Sequence, residues 1–231
     1  MFSELRNIDR EQEEPVASTQ PCATPGQLIP SQPPVRFGST RIILPRDPDR
    51  SVISIIEQLN EKNCNDYIVY ISSHIRGQST YYAELLTLLR TLTSDSTVNI
   101  YIGSPGGSLH TGAMIANAIA TSKAQVTTIA IGIVASAAAL IWSYGHLRMV
   151  QDGVVLMFHM SSHVDCGNSR AIQIQAENVV RYVKEVAIDP LVEQGLLTPD
   201  EAETIIDRRR DLWLDSVTLK TRLEKIHGKT V

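Results

Sequence analysis

Apolar residues recur along this chain at two periods, and the changes between them lay out its elements. Ser51-Val-Ile-Ser-Ile-Ile-Glu-Gln-Leu-Asn60 has helix-like spacing and ends in polar residues, so a helix is predicted there. Tyr67-Ile-Val-Tyr-Ile-Ser72 is a short run rich in β-formers and reads as a buried strand. Ser79 to Leu92 places Tyr82, Leu85, Leu86 and Leu89 three to four apart, a helix packed on one face. Val98–Ile102 is the next strand, Gly103-Ser-Pro-Gly-Gly107 a turn, and Leu109 to Ser122 a close-packed helix rich in small residues. Val126–Ile131 gives a third strand and Ser136–Tyr144 a helix. Two short strands, Leu147–Val150 and Val154–Phe158, are split by the turn dipeptide Asp152-Gly153.

Beyond them, residues 168–195 form a long amphipathic helix stopped at Gly195. Thr198 is placed to cap one more helix, with Pro199 at its first position. Strands alternating with helices predict an α/β fold. The first fifty residues break the pattern, since they hold eight of the chain's eleven prolines with Gln, Ser and Thr between them. Such a segment buries too little apolar surface to offset its ordering entropy. Residues 1–40 are therefore read as a flexible Pro-rich arm, and 41–231 as one globular domain.

Composition narrows the function more than it defines it. A 43% apolar fraction and 20% charge are those of an ordinary globule. A net charge of −4 gives no reason to expect nucleic acid or an anionic membrane as partner. Cys22, Cys64 and Cys166 form no CxxC pair and no metal spacing, which fits a reducing compartment. The N-terminus has no apolar core of signal-peptide length. Ile129–Trp142 falls short of the roughly 20 residues of a membrane span. A cytoplasmic protein is the expectation.

Candidate chemistry concentrates at three places. Ser136, between a strand and a helix, would present its hydroxyl from a tight turn, with the Ala137 N–H beside it as an anion donor. A helix cap is the competing role for the same serine. Gly103-Ser-Pro-Gly-Gly-Ser108 leaves unobstructed N–H groups and suits an oxyanion hole built from Gly107 or Gly106. His159 directly follows a strand, where α/β enzymes place catalytic groups. His163 is its nearest rival, His110 and His146 also compete, and His74 and His227 read as surface residues. The acids downstream are Asp165, Asp189, Asp207, Asp211 and Asp215. Asp211 precedes Leu212-Trp-Leu214 and could be drawn in to hold an imidazole tautomer, although spacing alone does not select it.

Four of these elements, Ile100-Tyr-Ile-Gly-Ser-Pro-Gly-Gly107, Gly132-Ile-Val-Ala-Ser-Ala137, Met157-Phe-His159 and Arg210-Asp211, stand in the order and context of one known family. The chain resembles the proteolytic subunits of Clp proteases over roughly Ile68 to Leu214. That resemblance implies a crotonase-like spiral of β-β-α units, with the helix around 168–195 as a protruding handle. It implies a serine endopeptidase with Ser136 as nucleophile, His159 as general base, Asp211 as orienting acid, and Gly107 and Ala137 as oxyanion donors. It implies that Arg210 bridges rings, that copies of the chain stack as rings around a chamber, and that no cofactor or metal is needed. The partners implied are peptides or unfolded proteins, and an AAA+ unfoldase or a second subunit of the same kind.

The chain departs from the family pattern around Ser136, where Ala-Ser-Ala-Ala-Ala replaces the usual Ala-Ser-Met-Gly-Ala. It departs again at Met160-Ser-Ser162 after His159, at the N-terminal arm, and after Asp215, where the usual last strand is missing. Such departures suit a virus-encoded or specialised member, for example a prohead-maturation protease working without an ATPase. A catalytically silent ring subunit is the alternative within the family. A crotonase-type acyl-CoA enzyme would share the fold but has no use for a serine–histidine pair.

Overall fold

In the computed structural model of this chain, residues 35–37, 40–43, 53–59, 65–160 and 169–227 are described. They fall within one unit of the chain, Gln32–Val231. Of the arm expected over 1–40, residues 1–34, 38 and 39 lie outside the described residues.

The order is β1 (Val35–Phe37), β2 (Thr40–Ile43), β3 (Ile53–Leu59), β4 (Asn65–Ile71), α1 (Ala83–Thr91), β5 (Thr97–Ile102) and α2 (Leu109–Ala120). Then come β6 (Gln125–Ala130), β7 (Ile133–Ala135), α3 (Ala137–Ser143), β8 (Leu147–Val150) and β9 (Val155–Phe158). The chain closes with α4 (Ser169–Val183), a π turn (Lys184–Ile188), α5 (Asp189–Glu193), α6 (Pro199–Ile206), β10 (Leu212–Asp215) and α7 (Ser216–His227). The fold is mixed α/β.

Two sheets carry the strands. The larger runs β1-β2-β3-β4-β5-β6-β8, antiparallel as far as β4 and parallel from β4 to β8. The smaller runs β10-β9-β7, with β7 and β9 parallel and β10 antiparallel to β9. After β6 the chain steps to the small sheet for β7, passes through α3, returns for β8 and steps across again for β9. Ser136 and His159 thereby leave the ends of neighbouring parallel strands.

The helix expected over 51–60 is instead β3. Ile53 and Ile55 are buried and Ser54 is exposed, so the period is two. Ile53, Ile56 and Leu59 also satisfy helical spacing, but the β-branched Ile53, Ile55 and Ile56 favour an extended backbone that pairs with β2 and β4. The segment after Asp215 folds as α7. The long helix expected over 168–195 begins at Ser169 and contains the π turn. It ends at Gly195, whose φ of 77° is left-handed, with Leu196 N–H returning to Leu191 O at 2.8 Å.

One face of the large sheet meets α1, α2 and α3. Val69, Ile71, Val98, Ile100, Ile102, Val126 and Ala130 share one buried cluster with Leu85, Leu89, Ile115, Ile119 and Trp142. Each fully buried Ile or Leu contributes about 1.5–3 kcal/mol over its exposed state. A Cβ on Gly112 would stand 3.0 Å from that of Ala137, so α2 and α3 touch through small residues. The far end of α3 is fixed as well. Trp142 donates its indole N–H to Met149 O at 3.1 Å and accepts from Thr128 Oγ1 at 2.6 Å through its carbonyl.

Candidate active site

The site grows from the β7–α3 turn. Ser136 has φ 58° and ψ −124°, a strained backbone for a residue with a side chain and one that costs about 1–3 kcal/mol. Neighbouring bonds over-determine the turn: Ala135 N–H donates to Ser104 O at 3.0 Å, Ser136 N–H to Met157 O at 2.9 Å, and Leu140 N–H to Ser136 O at 3.1 Å. Its hydroxyl caps nothing. Oγ lies instead 2.8 Å from Nε2 of His159, a hydrogen-bonding distance. The helix-cap role considered for this serine is therefore set aside.

His159 follows β9, which β7 and β10 flank. Leu212 pairs with Phe158, so one further step of that antiparallel register sets Asp211 opposite His159. The Asp211 carboxylate stands 3.8 Å from His159 Nδ1, within ion-pair reach but beyond a hydrogen bond. Its side chain is 53% exposed, against 27% for the histidine. Arg210 is exposed beside it, with its N–H donating to Thr204 O at 3.1 Å. Arg209, before that, has φ 50°.

The Gly-rich turn packs against Ser136. A Cβ on Gly106 would fall 2.4 Å from Ala135 O and 2.8 Å from Ser136 Cβ, so only glycine admits this approach. Gly106 N–H donates to Ser104 Oγ at 3.1 Å, and Ser104 Oγ donates to Ser73 O at 2.7 Å. The Gly106 N–H is thus engaged within the turn. Gly107 bridges Ile75 in parallel fashion: Ile75 N–H donates to Gly106 O and Ser108 N–H to Ile75 O, each at 2.8 Å. In that pattern the N–H of Gly107 itself points away from Ile75. Gly107 and Ala137 line one cleft with Ser136 and His159.

That cleft encloses about 430 Å³, part of it open to solvent. Its remaining walls are Leu109, Leu140, Phe158, Val183, Ala187 and Ile188, all apolar. None of these six stands out in the sequence as a site residue. The long helix's amphipathic stripe is the available signal for Val183, and a stripe does not say which molecule covers it.

Of the other candidates, His146 accepts from Val126 N–H at 3.2 Å, a structural bond on the β6 side. His110 is exposed on α2. His74 is exposed, yet its ring packs on Gly107: a Cβ there would stand 2.9 Å from its Nε2. His163 and Asp165 lie outside the described residues. Asp189 starts α5 and Asp207 ends α6. Asp215 accepts from Thr218 N–H at 2.8 Å, and that bond holds its carboxyl below the usual range. Among the described residues no cluster of His, Cys, Asp or Glu could hold a metal ion, and no helix is long and apolar enough to cross a membrane.

Comparison with known proteins bears on this geometry. The family model described as Clp protease matches residues 49–220, well over half of the chain. An ATP-dependent Clp protease proteolytic subunit from Nephroselmis olivacea is 32% identical over 118 residues, 50% of this chain and 55% of that protein. Subunit 3 from Streptomyces avermitilis is 25% identical over 166 residues, 71% of this chain and 74% of the relative. Subunit 2 from Treponema denticola is 29% identical over 163 residues, 69% of this chain and 80% of the relative. The chain thus spans little more than half the length of the first relative and most of the other two. With a matched segment that runs from before β3 into α7 and takes in the whole cleft, the chain belongs to the Clp protease family.

Proposed function

We propose that this chain is a serine endopeptidase that hydrolyses peptide bonds through Ser136, His159 and Asp211. The observation that carries the reading is the 2.8 Å contact between Ser136 Oγ and His159 Nε2, made from a strained turn that frees the hydroxyl from helix capping. His159 takes the Ser136 proton as Oγ attacks the scissile carbonyl carbon. Gly107 and Ala137 donate their N–H groups to the oxyanion that forms. The imidazolium returns its proton to the leaving amine, and the C–N bond breaks to leave an acyl-Ser136 ester. Water, deprotonated by the same imidazole, then releases the acid. Asp211 beside Nδ1 keeps the tautomer in which Nε2 accepts, and Leu140, Phe158 and Ile188 receive an apolar substrate side chain.

The reading extends to architecture. The alternation of β6, β7, α3, β8 and β9 between two sheets supports a spiral of β-β-α units, with α4 to α5 as its handle. An arm over 1–40 precedes the protease domain at 41–231. Copies of the chain stack as rings, with Arg210 at their contact, and enclose the clefts in the cytoplasm. An AAA+ unfoldase feeds the chamber, as the words "ATP-dependent" in the relatives' names suggest for those proteins.

A fluorophosphonate probe tests the assignment. It is expected to label Ser136 alone, and Ser136→Ala is expected to lose labelling and peptide hydrolysis while its native mass is unchanged. Labelling of another serine overturns the triad, and absence of labelling in an assembled wild type points to the silent subunit.

A further inference from the structure

One wall of the cleft is built from a helix defect, and the sequence supplies the reason for it. Val183, Ala187 and Ile188 line the cleft from the π turn and its preceding residue. Asp189 N–H closes that turn on Lys184 O, five residues back. In an uninterrupted α-helix the carbonyl of Val186 would accept from residue 190. Residue 190 is Pro190, which has no N–H and whose ring would collide with that carbonyl. A widened turn relieves the collision but leaves Val186 O without its helical donor. The Tyr144 hydroxyl donates to it at 2.6 Å. Burial, with the Tyr182 phenol nearby, pushes the Tyr144 hydroxyl above its ordinary range, so it remains a donor at neutral and mildly alkaline pH. Tyr144 is also the residue that ends α3, the helix that begins beside Ser136.

We propose that Tyr144 and Pro190 are specificity-determining positioning residues, which hold the π turn and thereby keep Ile188 in the wall of the substrate cleft. The geometry gives the direction of the effect. In an α-helix each residue advances about 100°, so five residues carry Ile188 roughly 140° away from the direction of Val183. The five-residue turn brings it back to the same face, where both are buried against the cleft. Restoring α-helix there swings Ile188 out and enlarges the space beside Ser136. The inference rests on the peptidase reading for its kinetic consequence and stands independently of it for the structural one.

The test is the double variant Tyr144→Phe/Pro190→Ala, in which the alanine restores the missing donor while the tyrosine clamp is lost. A crystal structure of the variant is expected to show uninterrupted i to i+4 bonds through residues 184–192. A π turn that persists without both residues overturns the proposal, whether or not the protein is catalytic. On peptides that differ only at the residue before the scissile bond, the kcat/KM ratio of phenylalanine to leucine is expected to rise about tenfold. The fluorophosphonate labelling rate at Ser136 is expected to stay within about twofold, since that small probe reads the nucleophile rather than the wall. An unchanged ratio with normal labelling overturns the proposal. So does a uniform fall of labelling and all peptides, which would mark Tyr144 as support for α3 alone. Tyr144→Phe by itself is the second variant, expected to change the ratio in the same direction by a smaller factor. A wild type that never labels at Ser136 counts against the peptidase reading and leaves the crystallographic arm to decide this one.

Discussion

The Ser136 turn and the Asp211 loop hold the two ends of one proposed triad, and they are built differently. Ser136 is locked by backbone bonds to Met157 and Leu140, and its hydroxyl meets His159 at 2.8 Å. Asp211 leaves an exposed arginine run, immediately precedes an edge strand, keeps half of its side chain in solvent and stops 3.8 Å from the imidazole. Ser136 and His159 emerge from neighbouring strands in a small sheet, so packing sets their separation. Asp211 is located by one strand's register alone. Precision in this site falls with distance from the Gly-rich turn, and the order of mutational effects is expected to follow.

The largest effect belongs to His159→Ala, with kcat falling by about 10⁴ to 10⁶-fold, as when a nucleophile loses its base. Steady-state peptide hydrolysis measures it. Gly107→Ala comes next. Its Cβ would lie 2.2 Å from Ile75 O at a φ of 145°, so the turn must shift. Displacing one oxyanion donor costs about 10² to 10³-fold in kcat, with a smaller change in KM. Asp211→Asn is expected to cost about 10²-fold, roughly a hundredfold or more less than the histidine substitution. Equal losses for Asp211→Asn and His159→Ala would break the comparison, because they would mean that the acid is engaged as firmly as the base.

The smallest effect concerns what steadies the Asp211 loop. Arg222 on α7 forks onto Glu201 on α6, with Nη1 and Nη2 each 2.8 Å from a carboxylate oxygen, and the Asp211 loop lies between those two helices in sequence. Burial pushes the Glu201 carboxyl up, but Arg222 and the Thr198 N–H outweigh it and hold it below its usual value. A depressed folded pKa adds stability above the unfolded pKa, and that stability is lost as pH falls through the folded one. Glu201→Gln is expected to lower stability by about 1–2 kcal/mol at neutral pH and to flatten the acid limb of a denaturation-against-pH series. An unchanged acid limb would show that the fork does not bind the two helices together.

The sequence makes the ordered parts legible and leaves the conditional parts obscure. Ser136, Gly107 and His159 sit where strand ends and glycines announce a turn, and the structure brings all three to one cleft. Asp211 cannot be separated from its rivals by spacing, because its approach depends on the β9–β10 pairing, a contact between residues more than fifty apart. The β3 strand reads as a helix because Ile53, Ile56 and Leu59 fit both periods, and its neighbours β2 and β4 decide the outcome. The cleft wall stays hidden for another reason. Pro190 falls inside the single helix expected over 168–195, while its effect falls four residues upstream and on Tyr144, forty-two residues from Val186 along the chain. Local patterns report such a site only after the chain has been folded around it.

The small sheet also sets a timetable. β7 and β9 are made early, but β10 is synthesised only after the whole of α4, α5 and α6, and no pairing can carry Asp211 to His159 before then. Contacts of such sequence separation form late in folding. A chain still emerging from the ribosome therefore holds the Ser136 hydroxyl and the His159 imidazole without the Asp211 carboxylate, so on the proposed peptidase reading its own synthesis delays assembly of the full triad.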